Sequence, residues 1–209
     1  MAIDYKKRYV TPVGVANYPR LNEPDTKFNP DGEYKVNLEF DPEDPKVKSF
    51  IEKLEAIQEE AYNDFQKDSK RKLGLADVYE ETDDGMYSIK FKQKAKIKMK
   101  DGKIIDVNIP IFDSKGKPMK DAPIIGKDSK IKISFTIMPY CLQTTKQVGL
   151  SLRPVAVQVV DLHEYSGGGT ADAYGFEEEE GYEYEEKQDK DLLEDDLDGM
   201  TEEETKGDF

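Results

Sequence analysis

The chain has 209 residues, with 31 basic and 45 acidic side chains and a formal net charge of -14. Its single cysteine and single histidine exclude a disulfide framework and a cysteine- or histidine-rich metal cluster, and they fit a reducing cytoplasm. No apolar run is long enough to cross a membrane, and we expect no signal peptide because "MAIDYKKRYV" has no apolar core.

The acidic excess is concentrated at the C-terminal end of the chain. Residues 166–209 hold 18 of the 45 acidic side chains but only 3 of the 31 basic ones, a net charge of -15. The part before them therefore carries a net charge of +1. We expect a folded domain at 1–165, then a Gly-rich linker ("SGGGT") and a disordered acidic tail that ends in Phe209.

Alternation of apolar and polar residues predicts extended segments within the folded domain. They cover residues 5–21, 33–40, 87–100, 104–112, 130–140 and 150–165. "KDGK" at 100–103 predicts a hairpin, because Asp-Gly tolerates the positive φ of a tight turn. "DSKGK" at 113–117 predicts another turn. "VAVQVV" at 155–160 is apolar on both faces and indicates a central strand.

One helix is predicted between the second and third extended segments. Asp44 suits the N-cap, Pro45 suits the first helical position, and Gly74 is expected just beyond the C-terminal end. Apolar residues recur at helical spacing and are expected to pack against the sheet. They are Val47, Phe50, Ile51, Leu54, Ile57, Ala61 and Phe65.

The pattern of elements predicts a mainly β fold. Five or six strands, one amphipathic helix and no alternation of strands with helices favour a small, partly open β-barrel. The oligonucleotide-binding (OB) barrel is the commonest such fold that presents a basic face. A β-sandwich is the alternative that periodicity alone leaves open.

The segment "YSIKFKQKAKIKMK" places six lysines on one face of a predicted strand. A row of like charges indicates an anionic partner with a regular charge repeat, and a solvated strand face is the alternative. The lysines are Lys90, Lys92, Lys94, Lys96, Lys98 and Lys100.

Further lysines and tyrosines lie in neighbouring predicted strands. Lys130 and Lys132 alternate with apolar residues, Tyr140 follows at the end of the same strand, and Tyr34 precedes Lys35. Basic side chains that track phosphates and aromatic rings that stack on bases are together typical of single-strand binding. We therefore take these residues as candidate DNA-binding residues.

An enzymatic function is not favoured by the sequence. Asp101, Asp106 and Asp113 could serve as metal ligands of a nuclease, but two of them lie in predicted turns and the third alternates outward among lysines. No Gly-rich phosphate loop or nucleophile elbow is present. We predict no catalytic residue, no cofactor and no metal site.

Several segments together resemble the gene-2.5-type single-stranded DNA-binding proteins of podophages. They are "NPDGEYKVNLEF", "YSIKFK", "DSKGKPMKDAPIIGKDSKIKISFTIMPY" and the terminal "GDF". The resemblance implies an OB-fold core with a helix and a disordered acidic tail. It also implies coating of single-stranded DNA during phage replication, recombination and repair, in the cytoplasm of the infected bacterial host.

The resemblance also implies roles for individual residues. Tyr140 matches an aromatic that looks like a base-stacking residue, whereas Leu142 stands where the family has a tryptophan, so Tyr34 or Tyr9 could replace that ring. Asp208 and Phe209 match the tail end that contacts the DNA polymerase and the helicase-primase. A homodimer held by exchange of tails between grooves is compatible with the family.

A second function is also compatible with the sequence. The chain could be a protein-interaction module whose acidic tail acts as a DNA mimic and occupies the basic site of another protein. In that case the lysine row would be a solvated face, and the folded domain would bind nucleic acid poorly.

Overall fold

The computed structural model describes residues 6–27 and 29–164, so the predicted tail, with Asp208 and Phe209, lies outside the described residues. No helix in the described part is long and apolar enough to span a bilayer. The elements are β1 (Tyr9–Val10), β2 (Gly14–Asp25), β3 (Glu33–Phe40), α1 (Pro45–Asp68), β4 (Gly74–Leu75), β5 (Glu80–Glu81), β6 (Tyr87–Lys94), β7 (Lys96–Lys98), β8 (Ile104–Asp106), β9 (Ile111–Phe112), β10 (Pro118–Met119), β11 (Lys130–Leu142) and β12 (Gln147–Asp161).

Five of these strands close into a ring, in the order β2, β3, β6, β12, β11 and back to β2. Neighbouring strands of the ring are antiparallel, except that β6 and β12 are parallel. Two seams are short, because β11 meets β2 through two residue pairs and β12 meets β6 through Leu152 and Phe91 alone. The predicted mainly β fold with a partly open barrel and one helix is confirmed.

The ring closes because its long strands bend. The pairing of β11 with β12 shifts register after Lys130 and again after Ser134, and such bulges increase local strand curvature. Gly14 lies at the seam between β2 and β11. A Cβ at Gly14 would lie 2.7 Å from the phenyl ring of Phe40. The absence of a side chain at Gly14 therefore lets this phenyl ring pack inside the closed barrel.

Aromatic rings connect the helix to the barrel interior. Phe135 of β11 contacts Phe91 of β6 and Phe50 of α1 at centroid distances of 5.2 and 6.1 Å, both edge to face. Such pairs add about 0.5–1.5 kcal/mol beyond the burial of their area. The helix therefore forms one wall of the core, as its apolar stripe predicts.

The predicted start of α1 is confirmed, but its C-terminal half differs from the prediction. The Asp44 side chain accepts a hydrogen bond from the Lys46 N–H at 2.8 Å. Phe65 is 36% exposed, because its ring borders an open surface cleft rather than the core. The helix ends at Asp68, so Gly74 lies several residues beyond the helix end rather than just beyond it, and it belongs to β4.

The single strand predicted at 87–100 is wrong in its length. It divides at Ala95, because β3 provides pairing partners only from Phe40 back to Glu33. The chain before β3 turns at Gly32, where φ is +76°, and Ala95 packs against this turn. Lys96–Lys98 form β7, which pairs with β8 in a separate ribbon, and the chain turns after them.

Both predicted turns are present, and the predicted central strand lies in β12 between β11 and β9, although it is buried on one face only. The "KDGK" turn joins β7 to β8 and the "DSKGK" turn joins β9 to β10, with φ of +85° at Gly102 and +80° at Gly116. Within 155–160, Val157 and Val159 are buried, but Val160 is 42% exposed. The outer face of β12 here is therefore only partly covered.

We expect Gln58→Leu to reduce the free energy of unfolding by about 1–3 kcal/mol. The Gln58 amide is buried and donates to the carbonyls of Ala76 at 2.6 Å and Val148 at 3.0 Å, and leucine would leave them without this donor. Urea unfolding measures the change. The control Glu59→Leu alters an exposed neighbour and should stay within about 0.5 kcal/mol of wild type. Equal stability of the two variants would contradict the bridging role of Gln58.

Candidate nucleic-acid interface

The outer face of β3 and β6 is polar because the two strands alternate in register. Glu33 pairs with Lys94, Lys35 with Lys92 and Asn37 with Lys90, and all these side chains point away from the core. The intervening apolar residues of both strands are buried. Lys90, Lys92 and Lys94 are exposed, so half of the predicted lysine row lies on the barrel itself.

Carboxylates neutralise part of this basic face. Lys35 lies 2.5 Å from Asp25, and the Lys35 ammonium holds the pKa of the Asp25 carboxyl below its usual value, helped by the Lys27 N–H. Lys92 lies 3.9 Å from Glu33. Lys90 and Lys94 have no ion-pair partner in the described part of the chain. Among the four lysines of β3 and β6, these two are therefore the most available to an anionic ligand.

Two adjacent cavities that share lining residues outline a groove over this face. One, of about 520 Å³, lies between the barrel and the β7–β8 ribbon, and the other, of about 500 Å³, lies between β6 and the end of β11. Lys92 and Ser151 border both, so they mark the middle of the groove. Residues that border one cavity include Lys94, Lys96, Lys98, Ile104 and Arg153 on the ribbon side, and Lys90, Tyr79, Tyr140, Leu142 and Leu150 on the other.

Tyr140 is the predicted aromatic residue that the structure places in this groove. It is 37% exposed and lies opposite Gly149 in the β11–β12 hairpin. Its ring rests on Gly149, since a Cβ there would be 2.5 Å from the ring carbon Cζ and from the hydroxyl oxygen. The glycine thus leaves space in which the ring lies against the sheet with part of its surface exposed.

Tyr34, in contrast, is buried in the barrel, with 6% of its surface exposed. It shares the inward face of β3 with Val36, Leu38 and Phe40, so it is not available for stacking on a base. Burial, with the Asp106 carboxylate nearby, raises the pKa of the Tyr34 hydroxyl above its ordinary value. Tyr9 is also partly covered, because it contacts Phe135 at a centroid distance of 5.8 Å.

Lys130 and Lys132 do not join the groove. Lys132 pairs with Gln158 of β12, whereas β6 contacts β12 at Leu152, six residues away, which corresponds to roughly 20 Å of strand. Lys130 instead lies 3.4 Å from Asp161. The prediction that these lysines extend one basic surface with the lysine row is therefore wrong.

The ribbon carries the other half of the predicted row. Lys96 and Lys98 belong to β7 and border the groove, whereas Lys100 is exposed in the hairpin turn and borders neither cavity. Lys96 pairs with Asp106 in the ribbon register. The row is thus continuous in sequence but divided in space between a barrel strand and a projecting hairpin.

Tyr79 and Arg153 border the groove, although neither is among the predicted DNA-binding residues. Tyr79 reaches the groove because the next two residues form β5 and pair with β6. Arg153 directly follows Leu152, which is buried. Alternation within "SLRPVAVQVV" therefore predicts that the Arg153 side chain points outward. Tyr79 can be recognised as a groove residue only from the pairing of β5 with β6.

The aspartates considered as nuclease ligands have structural roles. Asp101 accepts a hydrogen bond from the Lys103 N–H, and Asp113 accepts from the N–H groups of Lys115 and Lys117. Such contacts stabilise turns. Within residues 6–27 and 29–164, no group of three histidine, cysteine or acidic side chains could hold a metal ion.

Comparisons with known proteins find single-stranded DNA-binding proteins of bacteriophages. Residues 13–162 match the family model described as "Single-stranded DNA-binding protein, Bacteriophage T7". The chain is 31% identical to the single-stranded DNA-binding protein of Enterobacteria phage T3 over 197 residues, 84% of each chain. It is 31% identical to that of Escherichia phage T7 over 199 residues, 85% of each chain.

Solved structures give the same result for the fold. The crystal structure of the bacteriophage T7 single-stranded DNA-binding protein gp2.5 matches with a TM-score of 0.70 and 30% identity, over 86% of this chain and 99% of that chain. A bacteriophage Enc34 single-stranded DNA-binding protein in complex with ssDNA shares the fold, with a TM-score of 0.51 and 14% identity over 75% of this chain and 88% of that chain.

The relatives are binding proteins, which agrees with the prediction that the chain is not an enzyme. The resemblance noted in the sequence is confirmed by the family model, by the two phage relatives and by the gp2.5 structure. This chain belongs to the family of single-stranded DNA-binding proteins that includes the protein of bacteriophage T7.

Proposed function

We propose that the protein coats single-stranded DNA without sequence preference during phage DNA replication, recombination and repair in the infected host cytoplasm. The observation that carries the proposal is the groove over β3, β6 and β12, which combines exposed lysines with the partly exposed ring of Tyr140. Membership of the T7 family supports the same ligand.

The groove offers a separate contact to each part of a nucleotide. Lys90, Lys92 and Lys94 stand two residues apart on one strand face and can follow successive phosphates. Neutralising phosphates releases counterions from the DNA, which supplies affinity without reading sequence. Tyr140 provides a flat surface for a base, and stacking contributes about 1–3 kcal/mol per base for any of the four bases.

The acidic tail is proposed to compete with DNA for this groove. Residues 166–209 carry a net charge of -15, and they are tethered to a domain whose lysines form a local basic surface. A tethered competitor acts at high effective concentration, so it suppresses weak binders such as duplex DNA. Once DNA displaces it, the tail end with Asp208 and Phe209 is free to recruit DNA polymerase and helicase-primase. Exchange of tails between two copies would give the homodimer.

We expect Lys90→Gln to weaken binding to oligo-dT and to make the plot of log affinity against log salt less steep by about 0.7. The reason is the loss of one phosphate contact by an exposed lysine that has no ion-pair partner among residues 6–27 and 29–164. Fluorescence anisotropy across a salt series measures both quantities. The control Lys48→Gln removes an exposed lysine on α1 that pairs with Glu43 at 2.9 Å, outside the groove. An unchanged slope for Lys90→Gln would contradict the phosphate contact.

Truncation after Tyr165 tests the tail and the alternative function together. Removal of the -15 segment should tighten binding to single-stranded DNA and raise affinity for duplex DNA, because the competitor is lost. Anisotropy with labelled oligo-dT and with a labelled duplex measures both. Unchanged duplex binding would contradict rejection by the tail. Failure of both forms to bind would favour the module with a DNA-mimic tail.

Gly149→Ala should weaken DNA binding while leaving the stability of the fold nearly unchanged. The new Cβ would lie 2.5 Å from the end of a flexible Tyr140 side chain, so the ring moves rather than the backbone. The loss of affinity should approach that of Tyr140→Ala, and the two changes should not add. The control Gly74→Ala meets Gln147 at an ordinary 3.5 Å. Thermal unfolding and anisotropy are the measurements, and full affinity in Gly149→Ala would contradict the positioning role.

A further inference from the structure

We propose that the groove contains a subsite for one unpaired base, with Tyr79 and Tyr140 as its two aromatic walls. The inference rests on the proposed function and adds a second stacking surface to it. Both residues border the same cavity of about 500 Å³. That volume falls in the range of about 300–1,000 Å³ found for pockets that hold small organic ligands.

Tyr79 is held in place before any ligand binds. Its ring stacks on Tyr87 with a centroid distance of 4.0 Å and an interplanar angle of 26°. The next residue, Glu80, pairs with Ser88 of β6, which fixes the backbone beside the groove. A ring that is already ordered loses little conformational entropy when a base stacks on it, so more of the stacking energy appears as affinity.

The charges around the cavity orient a nucleotide. Lys90 and Lys92 border it from β6, whereas Asp77 and Glu80 border it from the segment that carries Tyr79. Carboxylates repel a phosphate and ammonium groups attract it. The phosphates of a bound strand therefore lie towards β6, and the uncharged base lies towards Tyr79.

The remaining contacts suit the face of a base. Leu142 and Leu150 border the same cavity and are apolar, so they add contact area without a fixed hydrogen-bond pattern. A base in a duplex has both faces covered by its neighbours, and only an unstacked base can offer a face to these walls. The subsite therefore selects single strands through the folded domain itself, independently of the acidic tail.

The first test measures oligo-dT binding by the full-length chain with Tyr79 changed. Tyr79→Ala should weaken binding roughly 5- to 150-fold, the range that corresponds to loss of one stacked base. The salt dependence should stay as in wild type, because no phosphate contact is lost. Tyr79→Phe keeps the ring and should bind as wild type. The control Tyr62→Ala removes another partly buried tyrosine, on α1 and outside the groove, and should also bind as wild type.

The second test needs no variant and so does not depend on the folding of Tyr79→Ala. Oligonucleotides with a single 5-iododeoxyuridine are photo-cross-linked to the wild-type chain, and mass spectrometry locates the attachment. Attachment to both Tyr79 and Tyr140 is expected. Attachment to Tyr140 without Tyr79, or wild-type affinity in Tyr79→Ala, would overturn the subsite and leave the proposed function intact. Absence of any DNA binding by the wild-type chain would overturn both.

Discussion

The pairing of β3 with β6 is the constraint on which the rest of the structure depends. Eight residue pairs in register place Val36 and Phe91 inside the barrel and, one residue away, Lys35 and Lys92 outside. A slip of one residue would exchange the two faces, burying lysines and exposing the core. The hydrophobic core therefore specifies the position of the basic surface, and any change that weakens the register alters both.

Neighbouring carboxylates reduce the positive charge of the outer face of β3 and β6. Asp25 and Glu33 pair with Lys35 and Lys92, so a bound phosphate must compete with internal counterions at two of the four lysines on these strands. Surface ion pairs of this kind are worth little in themselves. They nevertheless lower the net positive potential of the groove.

Local patterns could be predicted from the sequence wherever one residue's neighbours decide its environment. Alternation gave β3 with its observed bounds, and the Asp44–Pro45 pair gave the start of α1. Alternation also indicates that Tyr34 is buried, because Tyr34 and Val36 are two residues apart and lie on the same face of β3. The position of Tyr34 beside Lys35 nevertheless favoured a role in DNA binding. Tyr34 was therefore misassigned although the signal was present.

Features that depend on strand order could not be predicted in the same way. Lys130 and Lys132 follow the same alternation as the lysine row, but β12 lies between their strand and β6, and they pair near its far end. Tyr79 lies in a segment without periodicity, and only the pairing of β5 with β6 brings it to the groove. The positions of these residues relative to the groove depend on which strands pair, and a short segment of sequence does not specify that pairing.

Single-strand selectivity can arise from charge or from the shape of the base, and the two respond differently to salt. A tail that competes electrostatically responds to the charge of the DNA and loses strength as salt screens the interaction. Stacking on Tyr79 and Tyr140 requires an exposed base face and is not screened in this way. Under the two proposals, the ratio of single-strand to duplex affinity at high salt would report on the aromatic walls, whereas its change on lowering the salt would report on the tail.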